Sequence, residues 1–91
     1  MKHNKYVLKI DADLDLHGMT RWEAVKSLEI FLEKSQQENL SRVRIITGKG
    51  MHSKKEPVLR AQTVEILNEK KLRHCLAKIQ EGGSGALIVT L

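Results

Sequence analysis

Residues 14–23 read LDLHGMTRWE and contain the end of a strand, a turn and the start of a helix. The first letters alternate apolar and polar residues, as in a strand that buries one face. Thr20, followed three residues later by Glu23, has the pattern of a capping box, which begins a helix. Apolar residues then recur at helical spacing, so this stretch predicts a strand that leads into a helix over about residues 20–38.

The rest of the chain adds three predicted strands and one predicted helix. A β-prone run over residues 6–10 comes before the first strand, and we expect the segment 11–13, Asp-Ala-Asp, to interrupt it. Pro57 is suited to the first turn of the second helix. The predicted elements are a strand over 42–47, a helix over 57–69, a strand over 73–80 and a strand over 86–91 that is buried on both faces.

The element order β-α-β-α-β-β predicts a protein of the α/β class, in the form of an α+β two-layer sandwich. Strands that are joined through helices favour parallel pairing, whereas the glycine-rich turn at residues 82–85 favours a hairpin between the last two strands. We therefore expect a mixed four-stranded sheet with two helices on one face. We expect one domain over residues 12–91 with an N-terminal extension over residues 1–11.

Length and composition exclude several classes of protein. The chain has 91 residues, which suits one domain with a modest core. No apolar run approaches the ~20 residues that cross a bilayer, and no apolar segment follows the basic N-terminus as in a signal peptide. Cys75 is the single cysteine, which excludes an intrachain disulfide and an all-cysteine zinc site. We expect a cytoplasmic protein.

The charge of the chain is unevenly distributed. The net charge is +5, with six basic and seven acidic residues over 1–40 but ten basic and four acidic residues over 41–91. A basic half suggests a polyanionic partner, although an ordinary solvated surface is an equally good explanation of the charge alone. The chain has three aromatic residues, which argues against a base-stacking platform of the kind found in single-strand-binding proteins.

Asp15 and His17 are the first candidate site residues. Because side chains alternate along a strand, the two point to the same side, away from the buried leucines. A carboxylate beside an imidazole fixes its tautomer, which a general acid or base requires. A surface histidine with a chance neighbour is the alternative explanation of this spacing.

The second candidate site is the turn Thr47-Gly48-Lys49-Gly50. Two glycines around a lysine at a strand end allow backbone amides and an ammonium group to approach an anion. The spacing fits neither a Walker loop nor a dinucleotide fingerprint, and a plain turn is the alternative. Further donors and positive charges follow just before the second helix, where phosphate groups often bind: His52, Ser53, Lys54 and Lys55.

Other sequence patterns give weaker indications of a functional site. Ser84 lacks the surroundings of a hydrolase nucleophile, so we interpret the segment 82–85 as a turn that allows close approach. The aspartates at 11, 13 and 15 do not complete a calcium-binding loop, and the histidines lack zinc-site spacing. We expect Trp22 and Phe31 to pack in the core.

Three segments together resemble the small MutS-related (Smr) domain family. LDLHG at residues 14–18 resembles the first signature of that family, and TGKG at 47–50 followed by His52-Ser53 resembles the second. GGSGA at 82–86 resembles the glycine-rich turn before the last strand. The resemblance covers about residues 12–91 in the family's order and spacing, and it implies a fold like the C-terminal domain of bacterial translation initiation factor three.

The resemblance also implies a nucleic-acid endonuclease, since some members nick DNA and others cleave RNA. It assigns Asp15 and His17 to the catalytic pair and the turn 48–50 to the phosphate-facing loop. Backbone amides of this loop and Lys49 would then stabilise the phosphate charge, while His17, oriented by Asp15, would move the proton. The candidate phosphate contacts are Lys49, Lys54, Lys55, Arg42, Arg44 and Arg60.

Three further expectations accompany this interpretation. No cofactor is required by the sequence, although a divalent metal such as Mg²⁺, held by Asp15, is compatible with DNA cleavage by water. The favoured oligomeric state is a monomer, with DNA or RNA as the partner. A non-catalytic nucleic-acid-binding module is the alternative function, and a small domain that binds phosphate ligands or proteins is a third.

Overall fold

The first helix begins at the predicted capping box. The computed structural model describes residues 9–48, 58–77 and 85–91, and in it helix α1 spans Arg21–Gln37. The Thr20 hydroxyl accepts a hydrogen bond from the Glu23 amide at 3.1 Å, and the Glu23 carboxylate accepts one from the Thr20 amide at 3.0 Å. These bonds satisfy two amides that a helix start leaves without intrahelical partners.

The other elements follow in the predicted order. Strand β1 precedes α1 and includes Ala12 and Asp13, which the sequence had predicted to interrupt a strand. Asp13 is stable there because its carboxylate pairs with Arg44 on the neighbouring strand. The bounds are Ala12–Asp15 for β1, Arg42–Ile46 for β2, Val58–Glu69 for helix α2, Arg73–Leu76 for β3 and Ala86–Thr90 for β4. The predicted run 6–10 and the predicted end of the third strand fall largely outside the described residues.

The four strands form the expected mixed sheet in the order β1-β2-β4-β3. The first two strands are parallel, with Asp15 opposite Ile46. β4 pairs antiparallel with both β2 and β3, so the last two strands form the predicted hairpin and β4 occupies an inner position. This position explains why its first four residues are buried, as predicted for this strand.

The main core lies between the sheet and the two helices. α1 contributes Ala24, Leu28 and Leu32, and α2 contributes Ile66 and Leu67. Both helices pack against the same sheet face, which carries Leu16, Val43, Ile45, Leu87 and Val89. The two-layer α+β sandwich is thereby confirmed.

Trp22 lies outside this core, so the prediction of its burial was wrong. Its side chain is 70% exposed, whereas Phe31 packs against the core as expected. The buried face of α1 is centred on positions 24, 28 and 32. At about 100° per residue, position 22 is rotated by more than about 100° from the centre of that face, which directs the indole toward solvent.

The opposite sheet face, called the open face below, carries the charged strand residues. Because side chains alternate along each strand, Asp13, Asp15, Arg42 and Arg44 project to this face. A smaller apolar cluster accompanies them, formed by Ile10, Ile46, Ala77, Ala86 and Ile88. The candidate catalytic carboxylate therefore shares its sheet face with two arginines of β2.

Candidate functional site

Asp15 and His17 form a hydrogen-bonded pair at the C-terminal end of β1. Asp15 Oδ1 lies 2.7 Å from His17 Nδ1 and also accepts a 3.0 Å hydrogen bond from the His17 backbone amide. Both side chains are more than half exposed, while Leu16 between them is fully buried. The strand alternation predicted from the sequence thus places both polar groups together at the surface.

The electrostatics of this pair fix the imidazole tautomer. The hydrogen bond from the His17 side chain, followed by that from its backbone amide, lowers the pKa of the Asp15 carboxyl below its ordinary value. An ionised carboxylate can only accept hydrogen bonds, so Nδ1 of His17 carries the hydrogen. In the neutral ring Nε2 is then the unprotonated nitrogen. Among the described residues, no hydrogen bond occupies Nε2.

Gly48 at the end of β2 lies directly beside His17. Its φ is +87°, and a Cβ atom built on it would stand 3.3 Å from the Cβ of His17. The parallel pairing of β1 and β2 produces this proximity: the Leu16 amide donates to the Ile46 carbonyl at 2.7 Å, at the point where both strands end. The backbone conformation therefore favours glycine at position 48, and a side chain there would also press on His17, which would have to move by a few tenths of an ångström.

A backbone carbonyl just before β4 holds this corner in place. The carbonyl of Gly85, just before β4, accepts hydrogen bonds from the Thr47 amide at 2.9 Å and from the Gly48 amide at 3.1 Å. Sequence reasoning interpreted the segment 82–85 as a close-approach turn but did not assign Gly85 this anchoring role. His17, Gly48 and Gly85, one described residue from each of three motifs far apart along the chain, thus lie at one edge of the sheet.

The same bond corrects one detail of the expected phosphate site. The Gly48 amide was expected to face a phosphate together with the amides of residues 49 and 50. It donates to Gly85 instead, so it is already engaged in this structure. Gly48 is thus in contact with His17 on one side and hydrogen-bonded to Gly85 through its amide.

The basic candidates are distributed over several elements. Arg42 and Arg44 lie on the open face of β2, and Arg60 lies in the first turn of α2. The Arg44 guanidinium donates two hydrogen bonds to Asp13, at 2.6 Å and 3.1 Å, so its charge is partly compensated. Arg42 Nη1 is shielded and has no hydrogen-bond partner among the described residues. Both arginines stay candidate phosphate contacts, with Arg44 paired to Asp13 and one guanidinium nitrogen of Arg42 enclosed by the protein.

Several predicted site residues lie outside the described residues, namely Lys49, Gly50, His52, Ser53, Lys54 and Lys55. Within the described ranges, no cluster of three or more His, Cys, Asp or Glu side chains could hold a metal ion. The same ranges contain no helix with the length and apolar character to span a bilayer.

Residues 14–91 match the sequence profile of the Smr domain. The chain belongs to the Smr domain family. The crystal structure of the Smr domain of Thermus thermophilus MutS2 superposes with a TM-score of 0.78 at 32% identity, covering 88% of this chain and 96% of that one. The resemblance inferred from the three motifs is confirmed.

Two curated relatives of this Smr domain carry functional names. Endonuclease MutS2 of Clostridium botulinum is 30% identical over 92 residues, which cover 99% of this chain and 11% of that protein. Ribosome rescue factor SmrB of Photobacterium profundum is 34% identical over 83 residues, which cover 89% of this chain and 44% of that protein. The chain thus spans less than half the length of either relative. These names connect the family with nucleases and with a factor that acts on ribosomes.

Proposed function

We propose that this Smr domain is a phosphodiester endonuclease in which His17 transfers the proton of the attacking nucleophile and Asp15 orients the His17 ring. The observation that carries the proposal is the 2.7 Å contact between Asp15 Oδ1 and His17 Nδ1. It leaves Nε2 of a neutral His17 as an exposed proton acceptor beside the turn that begins at Gly48. A positioned imidazole of this kind is the most common general base in enzymes.

On RNA, the base would take the proton of the 2′-hydroxyl whose oxygen attacks the adjacent phosphorus. A new P–O2′ bond then forms, the P–O5′ bond breaks, and the leaving 5′-oxygen takes a proton from water. On DNA the nucleophile is a water molecule instead. In both cases Lys49 is proposed to lower the energy of the phosphate charge that develops.

The proposed reaction is tested both with and without a divalent metal ion. Mg²⁺ is often held by one or two carboxylates together with substrate phosphates. Asp15 is the candidate ligand, but its Oδ1 already accepts two hydrogen bonds from His17. The described residues therefore offer no complete ligand set, and the proposed proton transfer depends on His17 and Asp15 alone.

The names of the relatives support nucleic acid as the substrate class, since one is called an endonuclease and the other a ribosome rescue factor. The positive charge of residues 41–91 supports the same class. Neither observation discriminates between DNA and RNA, so both have to be offered in the test.

The test is cleavage of end-labelled single- and double-stranded DNA and RNA, with Mg²⁺ and with a chelator. The expected result is cleavage of at least one substrate by the unmodified protein. His17→Ala should slow cleavage by about 10²- to 10⁴-fold, the usual contribution of general acid–base catalysis, while binding persists. His74→Ala is the matched control, because His74 contacts Asn68 of α2 rather than this site.

Two results would contradict the proposal. Cleavage by His17→Ala at the rate of the unmodified protein would exclude His17 as the proton carrier. Binding of nucleic acid without cleavage under any condition would instead support the alternative of a non-catalytic binding module.

A further inference from the structure

Trp22 is a large apolar side chain that the fold leaves in solvent. Its side chain is 70% exposed, and it is the single tryptophan of the chain. An exposed indole buries no surface in the core and so contributes little to folding through burial. Tryptophan is also a strong stacking and hot-spot residue when a ligand or partner covers it.

Trp22 follows the candidate site closely along the chain. A tight turn, closed by the Met19 amide donating to the Leu16 carbonyl at 3.0 Å, connects β1 to the cap at Thr20. Trp22 follows in the first turn of α1. It is five residues from His17, a span of at most about 18 Å even for an extended chain. Trp22 therefore lies within the length of a few nucleotides from the proposed cleavage point.

The base of the helix that carries Trp22 is well fixed. The capping box holds the start of α1, and Arg21 donates a 2.9 Å hydrogen bond to Gln62 of α2. An aromatic ring on such a rigid element loses little conformational freedom when it binds. A ring held rigidly in this way favours binding of a flat ligand.

The surroundings of the indole indicate an anionic, planar ligand. The Lys26 ammonium lies over the ring, 4.9 Å from its centroid, in a cation–π contact. A nucleotide offers a π-face to the free side of the ring and a phosphate to this ammonium. Further along the exposed side of α1, Glu29 and Glu33 would repel a polyanion, which confines such a contact to the beginning of the helix.

We propose that Trp22 stacks on one unpaired nucleobase within a few nucleotides of the scissile bond, so that this domain prefers single-stranded or locally unpaired nucleic acid. This inference rests on the proposed function, because it assumes that nucleic acid occupies the His17 site. It requires an unpaired base because the faces of paired bases are stacked inside a duplex. One aromatic residue is sufficient for this role, whereas a continuous platform needs several.

Ile30 supplies the matched comparison for this role. It is the other large apolar side chain exposed on α1, with 62% exposure, but it lies eight residues beyond Trp22. At 1.5 Å per residue this separation is about 12 Å along the helix. A protein partner that covers the outer side of α1 would use both residues, whereas a stacked base would use Trp22 alone.

The first measurement uses tryptophan emission, which reports Trp22 directly. The protein carries His17→Ala so that the probes remain intact. The probes are a single-stranded oligonucleotide, its duplex, and the same single strand with abasic sites in place of the bases. We expect quenching of the emission by the single strand, but little quenching by the duplex or by the abasic strand, which offers the phosphates without the bases.

The second measurement is binding of the same end-labelled probes, followed by fluorescence anisotropy of the label. Trp22→Leu should weaken binding of the single strand by about tenfold, within the range measured for loss of one base–aromatic stack, and leave duplex binding unchanged. Trp22→Phe should restore most of the affinity, because it retains an aromatic face. Ile30→Ala should bind as the parent protein does.

The possible failures are distinguishable. Binding of the single strand without a change in emission, or equal binding by Trp22→Leu, overturns the stacking inference and leaves the proposed function intact. Equal losses from Trp22→Leu and Ile30→Ala also overturn it, since they indicate a broader apolar interface. Absence of binding to every probe overturns the stacking inference and the proposed function together.

Discussion

At the scale of single residues, the site depends on the two hydrogen bonds that Asp15 accepts from His17. One comes from the ring and one from the backbone, so the carboxylate holds both the position and the tautomer of the imidazole. Both hydrogen bonds favour the ionised form of Asp15, and its pKa is lowered accordingly. The carboxylate therefore remains charged throughout the range in which an imidazole titrates.

This arrangement predicts a specific dependence of the cleavage rate on pH. As a general base His17 has to be neutral, so the rate should rise with pH as the protonated ring gives way to the neutral one. Asp15→Asn should lower the maximum rate by at least about tenfold, because an amide can support the wrong tautomer. Single-turnover rates from about pH 5 to 9 provide the measurement.

Lys49→Ala is the comparison for this pH experiment. It should lower the rate with little change in the profile, since an ammonium acts on the phosphate charge and not on the transferred proton. A flat profile for the unmodified protein, or an unchanged rate in Asp15→Asn, would show that the proton-transfer mechanism is wrong even if the protein is a nuclease.

Two glycines with nearly the same backbone conformation allow the effect of a close side-chain contact to be separated from the effect of backbone strain. Gly48 and Gly18 have φ values of +87° and +84°, but a Cβ at Gly48 meets His17 at 3.3 Å, whereas a Cβ at Gly18 meets nothing within 4 Å. Each substitution by alanine should cost about 1–2 kcal/mol of folding free energy through backbone strain. Gly48→Ala should in addition displace His17 and reduce cleavage more than Gly18→Ala does.

Urea denaturation and cleavage rates of the two alanine variants test this prediction. If the two variants lose equal activity once both are fully folded, the contact between Gly48 and His17 has no catalytic consequence.

Single residues also mark where prediction from sequence was limited. Asp15 and His17 could be paired from the sequence because strand alternation acts over two positions. The engaged amide of Gly48 could not be foreseen, because its acceptor, Gly85, lies 37 residues away in the chain. The prediction that Trp22 is buried was wrong because it gave more weight to the apolar character of the side chain than to its angular position on the helix.

At the scale of elements, the parallel pair of β1 and β2 creates the site by ending two motifs at one edge. Asp11 fixes the opposite end of this pair. Its Oδ2 accepts hydrogen bonds from the amides of Ser41 at 2.9 Å and Arg42 at 3.2 Å, while its own amide donates to the Arg42 carbonyl at 2.8 Å. The register of the two strands is thereby held at their beginning, and the register determines that His17 meets Gly48.

Asp11 should therefore contribute a pH-dependent part of the stability. The hydrogen bonds from the Ser41 and Arg42 amides lower the pKa of the Asp11 carboxyl from its ordinary 3.8. A group with a lowered folded-state pKa stabilises the fold above its unfolded-state pKa, and this stabilisation is lost as the pH falls through the folded-state value. Asp11→Asn should reduce the unfolding free energy at pH 7, and the difference from the unmodified protein should shrink below about pH 4.

Chemical denaturation at a series of pH values from 7 to 3 measures this difference. Asp13→Asn is the control for removal of a neighbouring carboxylate, because Asp13 pairs with a side chain, Arg44, rather than with backbone amides. A difference between Asp11→Asn and the unmodified protein that stays constant with pH would exclude the charge of Asp11 as its cause.

The elements themselves were mostly predictable because their signals are local. The capping box fixed the start of α1, and the continuous apolar run of β4 indicated burial on both faces. The position of β4 between β2 and β3 was not predicted. Local patterns indicate which strands are parallel or form hairpins, but the strand order depends on how α2 crosses the sheet.

At the scale of the whole molecule, three arginines from residues 41–91 share the open face with Asp13 and Asp15. α1 carries three basic and three acidic residues, so the helical side presents no uniform field. The open face carries Arg42 and Arg44 on β2 and, by the strand register, Arg73 on β3. The basic half seen in the sequence therefore contributes to the face that also carries Asp15, which agrees with a polyanionic substrate there. A monomer in the cytoplasm stays a prediction.

If the basic residues bind phosphates, nucleic-acid affinity should fall steeply with salt because bound counterions are released. With ~4–6 phosphates neutralised, the logarithm of the affinity should fall with the logarithm of the salt concentration at a slope of about −3 to −5. Arg42→Gln should reduce the magnitude of this slope by about one, as expected for loss of one phosphate contact. Anisotropy titrations of a labelled oligonucleotide over a series of salt concentrations provide the slopes.

Lys70→Gln is the matched control for charge. Lys70 also belongs to the basic half of the sequence, but it follows α2 and lines a surface depression together with Glu29 and Glu33 of α1, in the helical layer of the sandwich. It should leave the slope unchanged, because a cation outside the contact surface releases no counterion on binding. If Lys70→Gln and Arg42→Gln reduce the slope equally, the affinity for nucleic acid depends on the net charge of the protein alone. The open face is then not the binding surface. A flat response of the unmodified protein would mean that the basic half is only a solvated surface.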